Sequence, residues 1–166
     1  KQFRFCSSVR VLPITLSEFS RVALEQPIVF VQDDDLVVPV AVVGLRAEVN
    51  LFVDDSGLWS GRYIPAYVRM YPFILAPRKG RKGYSVCIDA DYSGFGTSGG
   101  TRLFKANGDQ SEFTNRAIAF ATEYQKQREE SLIFTAALKD LGLLAPASLV
   151  EERDSLDTLG GFMTVN

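Results

Sequence analysis

Trp59, Tyr63, Tyr67, Arg69 and Tyr71 fall within thirteen positions of one another, and Asn50 opens the same stretch. These residue types suit recognition better than turnover. Indole and phenol rings offer flat apolar contact with one polar atom each, and a guanidinium offers a fork of donors for a carboxylate or phosphate. Aromatic and Arg side chains are enriched at the centres of binding sites. The set therefore predicts a pocket for an anionic or peptide-like ligand, lined by Asn50, Trp59, Tyr63, Tyr67, Arg69 and Tyr71. A structural reading competes with it. In that reading Arg69, set between Val68 and Met70, joins a helix to a sheet by pairing with Glu48 or an Asp, and the tyrosines are core with wet tips. Tyr63 could act as an acid–base group only beside a partner that lowers its pKa, and the sequence supplies none.

Other stretches carry weaker chemical signals. Arg78, Lys79, Arg81 and Lys82 cluster around Gly80 and Gly83. They read either as an exposed hairpin tip or as a contact for an acidic partner, phosphate or anionic surface. Gly94-Phe95-Gly96-Thr97-Ser98-Gly99 spells G-x-G-x-x-G, but a dinucleotide site needs a helix to begin at once. Arg102-Leu103-Phe104-Lys105 follows instead and reads as extended, so no nucleotide cofactor is expected. Asp33-Asp34-Asp35 reads as a solvated turn, because adjacent side chains point apart and calcium loops space their ligands at alternate positions. Asp54-Asp55-Ser56-Gly57 is a second turn. No metal and no cofactor is expected. The chain has no histidine, which removes Ser-His-Asp triads, imidazole acid–base chemistry and His-ligated metals. The two cysteines are Cys6 and Cys87. Cys87 reads as a small buried hydrophobe on a strand, a Cys6–Cys87 bridge stays open, and such low usage fits a reducing compartment.

These residues need elements to position them. At 166 residues, 46% hydrophobic and 23% charged, the chain is expected to form one domain over 1–166 with a full core. A net charge of -2 argues against a nucleic-acid partner. No apolar run is long enough for a transmembrane helix. No signal-peptide pattern opens the chain, which taken alone points to the cytoplasm. Phe3 and Phe5 alternate with polar neighbours as in a short strand. Thr15 and Glu18 form a capping box for a short helix through Leu16, Phe19, Val22 and Ala23, ended by Pro27. Ile28–Val31 and Leu36–Val43 read as an antiparallel hairpin, with Pro39 favouring an edge or a bulge. Ala47–Val53 reads as a third strand, and Pro65 starts a short helix through Tyr71. Phe73–Ala76 and Tyr84–Ile88 flank the basic tip as strands, and a Gly- and Ser-rich loop covers Asp91–Thr101. After the Asn107-Gly108 turn, Asp109 and Glu112 read as a capping box for a helical region over about 109–141, either one helix or two with a break near Glu130. Leu149–Glu151 and Leu159–Val165 are two last strands. The fold class is α+β: a mostly antiparallel sheet, a short N-terminal helix, and the long helical region packed on one face.

The chain carries Pro27-Ile28-Val29-Phe30, Gly44-Leu45-Arg46, Asn50-Leu51-Phe52-Val53, Gly57-x-Trp59, Ile88-Asp89, Leu103-Phe104 before Asn107-Gly108, and Gly161-Phe162. It also carries the more specific string Tyr63-Ile64-Pro65-Ala66-Tyr67-Val68-Arg69-Met70-Tyr71-Pro72-Phe73. Together these strings resemble the bacterial SapC-like family. Family members more often carry a second Arg where Met70 stands. They usually continue beyond the Gly-Phe strand into a further helical segment, so the resemblance implies a shortened or divergent member. It also implies association with bacterial surface layers, which keeps a cell-surface location open beside the cytoplasm, and it brings no catalytic residues. The expectation is a non-enzymatic binding or accessory protein with a protein partner or a peptide-like or anionic ligand. The alternatives are a small enzyme, or the substrate-presenting partner of one, with a pocket at Trp59–Tyr71, and a structural subunit of a larger assembly. Oligomer formation stays open.

Overall fold

Apolar residues, mostly valine, follow one another without polar alternation at Ile28–Val31 and Val37–Val43. Strands of that composition bury both faces, because side chains alternate sides and each side is apolar. The computed structural model, which describes residues 2–78, 80, 82–150 and 158–165, has them so. β2 (Ile28–Asp33) and β3 (Leu36–Val42) form an antiparallel hairpin about the Asp triplet, with Asp34 at φ 49°. A third strand on this sheet is β1 (Val11–Pro13), paired with β3.

The chain divides into two compact units, Lys1–Arg69 with Gln127–Asn166, and Met70–Lys126. The first holds a five-stranded sheet in the order β1-β3-β2-β7-β6, where β6 is Leu144–Val150 and β7 is Thr158–Val165. All its pairings are antiparallel. On one face Phe30 and Val37 pack with Leu138 of the long helix α3 (Glu112–Asp140), joined by Phe19 of the short helix α1 (Phe19–Val22), Leu144 and Met163. The Thr135 hydroxyl of α3 donates to the Val37 carbonyl at 2.6 Å, tying the helix to the sheet backbone. On the opposite face Val29, Val40, Val42 and Phe162 form a second buried cluster. A third cluster gathers Phe3, Cys6, Leu12, Val43 and Val68, with Trp59 and Phe52 against it.

α3 is one continuous helix, Glu112–Asp140, with no break at Glu130. The polar run Lys126–Glu130 is made of strong helix formers and contains no Gly or Pro, so its polarity does not interrupt the backbone. Gly142 at φ 66° ends the helix, with Leu143 N–H bonded to the Leu138 carbonyl and Gly142 N–H to that of Lys139. This is the Schellman arrangement.

The second unit contains β4 (Phe73–Pro77) and β5 (Tyr84–Ile88), an antiparallel pair forming a separate two-stranded sheet. Phe73 meets Phe113 of α3 edge-on, with ring centroids 6.2 Å apart. Tyr84 Oη accepts from the Gln125 amide at 3.0 Å. The α3 N-terminus is capped by Ser111, whose Oγ accepts from Thr114 N–H at 3.2 Å. The Asp109–Glu112 capping box is therefore displaced by two residues. Asp109 bonds instead to Asn107, and the Phe104–Gln110 bridge keeps that segment extended up to Ser111.

Three further expectations change. Arg4–Cys6 is a 3-10 turn, and the first strand comes later, at Val11–Pro13. Ala47–Val53 is a chain of turns, with only Val53 bridging Trp59. The reason lies at Gly44: a Cβ there would sit 1.7 Å from the Val49 carbonyl oxygen. The chain doubles back onto a bare glycine backbone, and Glu48 takes φ 58° in the return. Pro39 lies on an inner strand, not an edge. Its carbonyl accepts from Ile14 N–H at 3.1 Å, so its backbone groups face the β1 side. N–H and C=O of one strand residue point the same way, and β1 pairs only as far as Val40. The missing donor therefore removes no bond to β2. Among the described residues no helix is long and apolar enough to cross a membrane.

Candidate functional site

The capping box at Thr15 forms as its spacing predicts, but the Glu18 carboxylate reaches further than its own turn. Its side chain is 3% exposed. One oxygen accepts from Thr15 N–H at 2.9 Å and from the Thr15 hydroxyl at 3.0 Å. The other accepts from the Tyr63 phenol at 3.0 Å and from Ala66 N–H at 2.7 Å. Ala66 opens α2 (Ala66–Met70) directly after Pro65, so a carboxylate from the N-terminal segment satisfies an orphan donor at the start of this helix. A buried carboxylate with four donors meets the requirement that a buried charge be hydrogen-bonded throughout.

Tyr63 is the meeting point of the stretch. Arg69 Nη2 donates to its phenol oxygen at 3.2 Å, and Arg69 Nε to the Ile64 carbonyl at 3.0 Å. The Arg69 and Arg21 guanidinium carbons lie 5.6 Å and 5.8 Å from the Tyr63 ring centroid, within cation–π range. The Tyr63 carbonyl accepts the Trp59 indole N–H at 3.0 Å. Its N–H, with that of Arg62, is held by the Glu25 carboxylate. Burial pushes the Tyr63 phenol above its ordinary pKa, the Glu18 charge and hydrogen bond push it further, and Arg69 opposes them. That is the wrong direction for a general base at neutral pH.

The other expected residues have identifiable settings. Asn50 is buried, donating to the Cys6 carbonyl at 3.0 Å and accepting from Phe52 N–H at 2.9 Å. Trp59 stacks on Phe52 at 5.5 Å and meets Phe3 edge-on at 6.0 Å. Tyr67 is 43% exposed. Arg69 is exposed rather than buried, so the expected need for a carboxylate such as Glu48 falls away. In the second unit Tyr71 donates to Asp89 at 2.6 Å, Asp89 also accepts from Asp91 N–H at 3.0 Å, and Tyr71 packs edge-on against Tyr92 at 5.3 Å. The hydrogen bond to Asp89, with smaller contributions from burial and neighbouring charge, pushes Tyr71 up to about 12, and the same bond holds Asp89 below the usual carboxylate range. Arg78 and Lys82 are exposed on the β4–β5 connection, while Lys79 and Arg81 lie outside the described residues. No disulfide joins Cys6 and Cys87; Cys6 is buried, whereas Cys87, expected as a buried hydrophobe, is half-buried. Among the described residues no cluster of three or more side chains converges to hold a metal ion.

Sequence reasoning missed Glu25 altogether and saw Glu18 only as a local cap. The available signal was an acidic residue next to an apolar helical face, which is weak. What gives these carboxylates their role is a set of partners about forty residues downstream. The arrangement holds the backbone of 59–69 by hydrogen bonds from Glu18 and Glu25 and leaves the Tyr67 ring and the Arg62 and Arg69 side chains exposed. No curated protein and no solved structure matches the chain. The family model described as SapC matches residues 1–166. The chain therefore belongs to the SapC family.

Proposed function

We propose that this chain is a non-enzymatic binding or accessory protein, associated with bacterial surface layers as the family resemblance implies, and that it meets an anionic protein or peptide partner through the β4–β5 tip. One observation carries the reading. The polar groups of the central stretch are engaged within the fold, whereas Arg78 and Lys82 face solvent and form no ion pair with a described residue. Four cations stand in the five positions 78–82 of a chain whose net charge is -2. Such a local concentration attracts anions over about 8–10 Å at ordinary ionic strength. Asn50, Trp59, Tyr63 and Arg69 then act as the scaffold of the first unit, Tyr67 contributes exposed ring surface, and Tyr71 is half-buried against Tyr92. Support against an enzyme comes from the absence of histidine and from the raised Tyr63 pKa.

The test is fluorescence anisotropy of a labelled polyglutamate peptide titrated with the chain and with an Arg78→Gln/Lys82→Gln variant. Binding should weaken by about tenfold in the variant and fall steeply with added salt. Equal binding by both proteins, or binding indifferent to salt, would overturn the assignment of the contact to this tip.

A further inference from the structure

The outer edge of β5 has none of the usual protections. The hairpin register pairs Phe73 with Ile88, Ile74 with Cys87 and Leu75 with Val86. Just beyond the strands, Asp89 N–H bonds to the Pro72 carbonyl and Arg78 N–H to that of Gly83. Bonded and non-bonded pairs alternate along an antiparallel ladder. Cys87 and Ser85 therefore bond inward to β4, and the backbone N–H and C=O groups of Val86 and Ile88 point to the outer edge. Among the described residues no strand pairs there, and the side chains of Val86 and Ile88 are 44% and 47% exposed.

Natural sheets guard such edges with short strands, prolines, bulges or charges. β1 is three residues long and ends in Pro13. β6 contains Pro146 and a register shift between Ala147 and Leu149. β4 ends in Pro77. β5 reads Tyr84-Ser85-Val86-Cys87-Ile88, with no proline, no charge and no register shift.

The charges around β5 indicate what covers it. Its N-terminal end follows Arg78, Lys79, Arg81 and Lys82, and its C-terminal end runs into Asp89 and Asp91. We infer that β5 pairs antiparallel with β5 of a second copy of this chain, making a four-stranded sheet across a twofold axis. Antiparallel pairing sets the basic end of each strand against the acidic end of the other, whereas parallel pairing sets like against like. The register that engages all the outward-facing positions is centred on Val86, so Val86 faces Val86 and Tyr84 faces Ile88. Lys82 then falls opposite Ala90, between Asp89 and Asp91 of the second copy. The interface is isologous, so every contact occurs twice. A two-stranded sheet is marginal alone, and two more strands bring it to an ordinary size. This inference does not rest on the anionic partner proposed above, although Lys82 serves both; Arg78 belongs to the tip contact alone and Asp91 to the edge pairing alone.

Sedimentation equilibrium of the full chain over about two decades of concentration tests it, with Lys82→Asp and Asp91→Lys as perturbations. Wild type should show a reversible monomer–dimer equilibrium. Each single variant should dimerise about tenfold more weakly, because a repulsive contact appears at both ends of the interface. Mixing the two variants should restore dimerisation. In the mixed dimer the introduced acid of one copy meets the introduced base of the other at one end, and the native Lys82 and Asp91 meet at the other. That rescue also establishes that both variants are folded. A wild type that stays monomeric, variants that dimerise like wild type, or a mixture without rescue would each overturn the inference. A monomeric wild type that still binds polyglutamate would leave the proposed function standing.

Discussion

Replacing Glu18 with Gln tests the hub of the first unit with almost no change of shape. Each carboxylate oxygen holds one hydroxyl and one backbone N–H: Thr15 Oγ1 with Thr15 N, and Tyr63 Oη with Ala66 N. The Gln amide replaces one oxygen by an NH2 group. A hydroxyl can rotate and accept from that group, but a backbone N–H cannot. Whichever way the amide is turned, one buried backbone donor faces another donor. An orphaned buried donor costs about 1–3 kcal/mol, and the remaining bonds lose their ionic strengthening. We expect Glu18→Gln to destabilise by about 2–3 kcal/mol. With a urea m-value of about 2 kcal/mol/M, the midpoint should fall by about 1–1.5 M. The assay is urea unfolding followed by fluorescence of Trp59, the only Trp. Tyr63→Phe on both backgrounds completes a double-mutant cycle, where contacting residues show coupling of about 0.5–3 kcal/mol. The alkaline limb adds an independent readout. Tyr63 is raised by burial first and then by Glu18, so its contribution is complete below the ordinary tyrosine pKa of about 10 and is lost as pH rises through the higher folded value. Glu18→Gln should bring that upper limit down. A Glu18→Gln protein within about 0.5 kcal/mol of wild type, the range of an ordinary surface change, would refute the hub.

Three further outcomes follow from the same geometry. Tyr71 should titrate near 12 by ultraviolet absorbance, and Asp89→Asn should return it towards about 10; in the same pair, the depressed Asp89 contributes stability that is present above its unfolded pKa and fades as pH falls through its folded value, a limb that Tyr71→Phe should reduce. Gly44→Ala should cost more than about 3 kcal/mol, or prevent folding, because its Cβ would collide with the Val49 carbonyl; thermal unfolding measures this. Ser111→Ala should cost about 1 kcal/mol as the loss of a helix cap, whereas Asp109→Ala should have a smaller effect, and denaturant midpoints of the two separate the cap that forms from the one the sequence suggested.

Features decided within a few residues were legible from the chain alone. The Thr15–Glu18 box, the hairpin around the Asp triplet, the strands flanking the basic tip and the stop at Gly142 all depend on local spacing and backbone preference, and all formed where expected. The α+β class and the family were legible for a related reason: apolar runs and the Tyr63–Phe73 string are properties of the sequence itself. Tertiary structure decided the rest. Ala47–Val53 has strand composition, but the close approach of Val49 to Gly44 folds it into turns. Pro39 was expected at an edge or a bulge, yet it sits on an inner strand where β1 has already run out. Tyr63 and Tyr71 share one string, but Tyr63 is held by Glu18 in the first unit and Tyr71 by Asp89 in the second. Hydrogen bonds between side chains 18 and 45 residues apart leave no periodicity in a sequence. They exist only once the fold has brought the partners together, and at Glu18 burial has also removed water as the competing partner, which is why the sequence could name the residues of this stretch but not what each one holds.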